Sequence, residues 1–204
     1  MVFEIEATKN IYNINQTEVI YINSNSRLAV QDFSNGFYST FSNIYQKNRQ
    51  IIILCIGTDR VTGDSLGPIV GYKLNQYQFI NVGSFLVYGT LQSPVHAKNL
   101  SITIDMIYKK YDNPLIIAID ASLGSLHSIG HVTIGKGKIT PGAGVNKKLP
   151  SIGDMFVTGI VSLSAGFDSI QNARLGLVMQ LADVIFYGMT RAFNKISTDS
   201  DFII

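Results

Sequence analysis

IIILCIGTDRVTGDSLGPIVG, residues 51–71, decides how the chain is read. It opens with Ile51, Ile52, Ile53, Leu54 and Ile56, an apolar run interrupted only by Cys55. A run without polar alternation suits a strand buried on both faces, as in a parallel sheet covered by helices. A polar turn follows from Gly57 to Gly63. Asp64 or Ser65 then offers an N-cap oxygen to a segment with helical apolar spacing, Leu66, Ile69, Val70 and Leu74. Pro68 fits near a helix start, where N–H groups lack internal partners. Strand, loop and helix start together place Asp59 and Asp64 beyond the carboxyl end of a strand, where open α/β sheets bind ligands.

Upstream, residues 1–26 are mixed and Asn-rich, with a β-prone patch at Val19–Ile22, and read as an N-terminal arm or edge strand. Leu28, Val30, Phe33, Phe37, Phe41 and Ile44 approximate helical spacing and imply a helix between Arg27 and Gln46. Downstream, Phe79–Tyr88 contains a second strand, Gly89–Pro94 is a loop, and a helix is expected around Val95–Tyr111. Asn113-Pro114 breaks the chain before a third apolar strand, Leu115–Ile119, ending at Asp120. This alternation predicts an α/β fold of three layers, α/β/α, with a mostly parallel central sheet. His131–Ile134 then alternates as a strand, Thr140–Val145 is a glycine-rich loop, Met155–Ser164 reads as a strand and Ala173–Arg191 as a closing amphipathic helix. With no repeat and no linker, residues 27–204 are expected to form one domain.

Bulk composition narrows the function classes. Hydrophobic residues make up 46% and charged residues 15% of 204 residues, which is the composition of a globular chain with a sizeable core. The formal charge of +2 is scattered, with only Lys109-Lys110 and Lys147-Lys148 adjacent, so no nucleic-acid partner is expected. One cysteine excludes an internal disulfide, and inside an apolar strand it reads as buried filler. The opening MVFEIEATKN does not read as a signal peptide, and no apolar run reaches the roughly 18 residues of a membrane span, so a cytoplasmic protein is expected.

Two carboxylates stand out. If the strands preceding Asp64 and Asp120 are neighbours, both side chains reach one crevice, where close carboxylates share a proton and can act as base and acid on water and a leaving group. The same residues also fit a plainer reading, as caps or turn residues holding their own backbone. Asp59, Pro141, Gly142 and Gly144 are candidates for holding a substrate, the glycine-rich loop through exposed N–H groups or merely as a turn. None of His96, His127 and His131 lies in a metal-ligand pattern; His127 and His131 follow Asp120 closely enough to be considered beside it. The first turn, GTDRVTG, lacks the dinucleotide fingerprint, and an acidic helix start disfavours phosphate. Neither a metal nor a cofactor is expected.

The segments IGTDRVTGDSLGP and IIAIDASLGSLHSIGHVTIGKGKITPGAGV resemble the YyaC-type sporulation proteins of spore-forming bacteria. More distantly, residues 50–190 are similar to the germination protease that degrades small acid-soluble spore proteins, and to the hydrogenase maturation endopeptidases with their three-layer α/β fold. The resemblance implies that Asp64 and Asp120 are the catalytic pair of a sporulation endopeptidase acting on a protein in the developing spore. Ser65 stands where the hydrogenase-type enzymes carry a glutamate that ligates nickel, so the resemblance does not extend to a nickel site. The alternative it allows is a non-catalytic sporulation protein that binds a protease or its substrate through the same crevice. A homodimer is a separate expectation, from the apolar helices.

Overall fold

The computed structural model of the chain describes residues 12–14, 17–80, 85–142, 149–164 and 170–199. Its elements are β1 (Tyr12–Ile14), β2 (Thr17–Asn23), α1 (Ala29–Ser42), β3 (Ile51–Cys55), α2 (Leu66–Ile80), β4 (Phe85–Tyr88), α3 (Leu100–Lys110), β5 (Leu115–Gly124), β6 (His131–Lys136), β7 (Met155–Leu163) and α4 (Leu175–Thr198). The strands form one mixed sheet in the order β1-β2-β6-β7-β5-β3-β4. β7, β5, β3 and β4 are mutually parallel, and β2 runs with them because it is antiparallel to β6, itself antiparallel to β7. Only β6 and β1 run the other way. The expected α/β class with a mostly parallel sheet therefore holds.

β3 is buried along its whole length, and its side chains divide between two cores. Ile51, Ile53 and Cys55 face a large cluster built from Phe33, Phe37 and Phe41 of α1, Leu66, Val70 and Leu74 of α2, and Leu181, Ile185 and Met189 of α4. Ile52 and Leu54 face a smaller cluster with Leu100, Ile104 and Ile107 of α3. One helix covers one face and three cover the other, which is why the run at 51–56 has no polar alternation. Phe193 of α4 ties the larger layer together, edge-on to Phe37 at 5.5 Å and stacked on Phe85 of β4 at 4.6 Å.

Several boundaries differ from the sequence reading. Within the segment read as an arm or edge strand, β1 is the edge of the sheet and β2 lies inside it, paired along five residues with β6. β5 does not stop at Asp120 but continues to Gly124, because β7 supplies a partner beyond the point where β3 ends. A 3-10 turn at Gly63–Ser65 precedes α2, and the Ser65 hydroxyl donates back to the Thr62 carbonyl at 2.6 Å. α3 starts at Leu100, after a turn at 96–99.

The connections set up the site. From β3 the chain passes through α2 to β4, then through α3 on the opposite face back past β3 to β5. β3 and β5 thus bracket a reversal in strand order, and the crevice beyond their carboxyl ends is the usual ligand position of such sheets.

Candidate functional site

The loop after β3 is fixed by its backbone. Ile56 N–H donates to Ile119 O at 2.7 Å, Gly57 N–H to Val95 O at 2.8 Å, and Thr58 N–H to Asp64 O at 3.0 Å. The last bond closes the 58–64 loop on itself and returns Asp64 to the end of β3. Gly57 is required for this closure: its φ is +138°, and a Cβ there would overlap the backbone carbonyl of Asp64. A second tie, Gly63 N–H to Ile170 O at 3.1 Å, joins the loop to the segment before α4.

Asp120 reaches the same place from β5. Its neighbours Ile119 and Ala121 face the larger core, so Asp120 points to the α3 side. There a cavity of about 180 Å³ is lined by Asp64 and Asp120 together with Gly57, Thr58, His96 and Pro141. Gly142, Leu149, Ile170 and Gln171 also line it. Paired bonds between Ile139 and Ile152, at 3.0 and 2.9 Å, root the loop that brings Pro141 and Gly142 here.

The two carboxyl groups differ in setting. Asp120 is only 7% exposed, and its Oδ1 accepts the Ala121 N–H at 2.8 Å. Burial, and then repulsion by Asp64, push its pKa well above the usual carboxylate range, against the pull of that hydrogen bond. Asp64 is half-buried; loss of hydration raises its pKa to about 6, and a hydrogen bond from the Thr58 backbone works the other way. Two neighbouring carboxyl groups with raised pKa values suit a pair in which one accepts a proton and the other donates one.

Asp59 is exposed and lies outside the cavity lining, and Gly144 falls outside the described residues. Of the two histidines considered beside Asp120, His127 is exposed and His131 turns its Nδ1 to Ser128 O at 3.1 Å; neither lines the cavity. His96 does. No local motif marks it, but it follows β4, the parallel neighbour of β3, so the strand order brings three consecutive carboxyl-end loops together. Among the described residues no group of three or more His, Cys, Asp or Glu is arranged to hold a metal ion. Among the same residues no helix is long and apolar enough to cross a membrane.

Comparison with known proteins agrees with the first resemblance. Residues 21–188 match the family model described as "Protein of unknown function (DUF1256)", a span that contains Asp64, His96 and Asp120. The chain is also 49% identical over 144 residues to "Uncharacterized protein YyaC" of Bacillus subtilis (strain 168), covering 70% of this chain and 69% of that protein. The chain belongs to the DUF1256 family and is of the YyaC type.

Proposed function

We propose that the chain is an endopeptidase of the germination-protease kind, acting on a protein of the sporulating cell or forespore. The observation that carries the reading is the pair of aspartates that repel one another in a single cavity at a reversal of strand order. Asp64, the less buried member, takes a proton from water as its oxygen bonds to the scissile carbonyl carbon. The carbonyl electrons move onto oxygen, and the pair now holds two protons. When the tetrahedral species collapses, the C–N bond breaks, and Asp120 gives its proton to the leaving amine nitrogen. One proton again remains on the pair, now on Asp64, and its transfer to Asp120 restores the starting state.

The size of the cavity favours a second reading. At about 180 Å³ it is smaller than a typical small-molecule pocket, and it suits the tip of a partner's loop held without chemistry. That partner would be a protease or a protease substrate.

Incubation with small acid-soluble spore protein, followed by mass spectrometry of new termini, separates the two. Discrete cleavage that is lost in Asp64→Asn and indifferent to chelator supports the endopeptidase. Binding without new termini supports the second reading and overturns the first.

A further inference from the structure

Lys98 N–H donates to His96 Nδ1 at 3.3 Å. An imidazole nitrogen that accepts a hydrogen bond carries no proton, so in the neutral ring the proton sits on Nε2. The rest of the turn holds the ring still. His96 N–H donates to Asn99 Oδ1 at 2.7 Å, His96 O accepts Asn99 N–H and Leu100 N–H at 3.0 and 2.9 Å, and Asn99 Nδ2 donates to Pro94 O at 3.0 Å. Five bonds at one end of α3 thus fix the backbone and the Nδ1 edge of one half-buried side chain. The edge left over is Nε2–H, for which no partner is found among the described residues, on a residue that lines the cavity with Asp64 and Asp120.

A carboxylate pair can move protons, but it supplies nothing to the oxygen on which charge develops when water attacks a carbonyl. Two acceptor-rich groups in a small cavity would repel that oxygen. A fixed N–H donor on a different loop of the same cavity answers this need. We propose that His96 is a further catalytic residue, its Nε2–H hydrogen-bonding the scissile carbonyl oxygen of a peptide substrate and the oxyanion formed from it. The ring gives up no proton in this role; it donates a hydrogen bond that shortens as charge grows on the oxygen. The inference rests on the endopeptidase reading and adds the third group that reading requires.

Two substitutions separate this role from the ring's part in the turn. In His96→Asn the side-chain oxygen can take the place of Nδ1 and accept the Lys98 N–H, but nothing reaches the cavity. In His96→Gln the amide N–H₂ can take the place of Nε2, at the expense of the turn. With small acid-soluble spore protein as substrate, His96→Asn is expected to melt as the wild type does and to lose about 100-fold in kcat with KM little changed. His96→Gln is expected to recover part of kcat while melting earlier. A His96→Asn enzyme at wild-type rate overturns the inference and leaves the endopeptidase reading standing. If the wild type makes no cut, that reading fails, and calorimetric titration of the same protein decides the fate of His96. Binding weakened tenfold or more in His96→Asn keeps it as a carbonyl-binding residue; equal binding, or none, overturns it.

Discussion

Cys55 stands opposite Ile119 in the parallel ladder between β3 and β5, and this register decides the site. β3 ends at Cys55, so the next residue of β5, Asp120, emerges where its neighbour has just run out. The loop leaving β3 then returns Asp64 to the same level through the Thr58–Asp64 backbone bond. A carboxylate one residue earlier on β5 would face the opposite core, because strand side chains alternate. The reach of Asp64 and the placement of Asp120 are both consequences of backbone pairing.

The pair should weaken the fold at neutral pH. A folded-state pKa raised from 3.8 to about 6 means that the contribution of Asp64 to stability is fully present below about pH 4 and is lost as pH rises through about 6. Asp64→Asn removes this loss. It is expected to stabilise the protein at pH 7 by roughly 2 kcal/mol, with partial exposure discounted, or about 4–8 °C in Tm. The gain should fade on acidification and be absent near pH 4. Thermal melting across that range is the check, and a pH-independent change would contradict it.

Gly57→Ala is expected to cost about 2–4 kcal/mol, since alanine disfavours φ of +138° and its Cβ meets the Asp64 carbonyl. The change also pushes Asp64 off the end of β3, so any activity should fall further than stability does. Denaturant unfolding, measured beside turnover, would reveal the difference.

Cys55 is fully buried, and burial pushes its thiol pKa far above the usual thiol range. The native protein should therefore resist iodoacetamide at about pH 8 and take up one label per chain in denaturant. Rapid labelling of the native state would mean that β3 is not enclosed by helices on both sides.

Asp154 serves as a control remote from the cavity. Its Oδ2 accepts Ile116 N–H at 2.9 Å and Arg49 Nη2 at 3.0 Å, clamping the start of β7 to that of β5. Asp154→Ala is expected to cost about 1–2 kcal/mol in unfolding free energy and to leave any activity of the folded protein unchanged. A selective loss of activity would show that the amino-terminal end of the sheet matters to the site.

What the sequence revealed and what it hid follow from the range of the forces involved. The strand at 51–55 was legible because burial on both faces erases alternation locally. α1 and α4 were legible through the spacing of residues such as Phe33, Phe37 and Phe41. β5 was read as too short because Asp120, Ser122 and Gly124 look like a strand end; they remain in the strand only because β7 pairs with them, over thirty residues later. The place of β2 inside the sheet was not legible, because its partner, β6, lies more than a hundred residues away. Asp64 and Asp120 could be nominated because acidic residues beside apolar runs are visible in one dimension. His96 could not: its neighbours in sequence say nothing of the cavity, and only the order β5-β3-β4 brings its loop there.

The central claim is that Asp64 and Asp120 share a proton, and the side-chain carboxyl carbons can be followed directly by NMR in protein labelled with ¹³C aspartate. Titration from about pH 3 to 9 should show Asp64 ionising near 6 and Asp120 staying protonated well above the usual range, with Asp64→Asn lowering the Asp120 transition. Two independent transitions near pH 4, each unmoved by substitution of the other, would contradict the pair and the chemistry built on it.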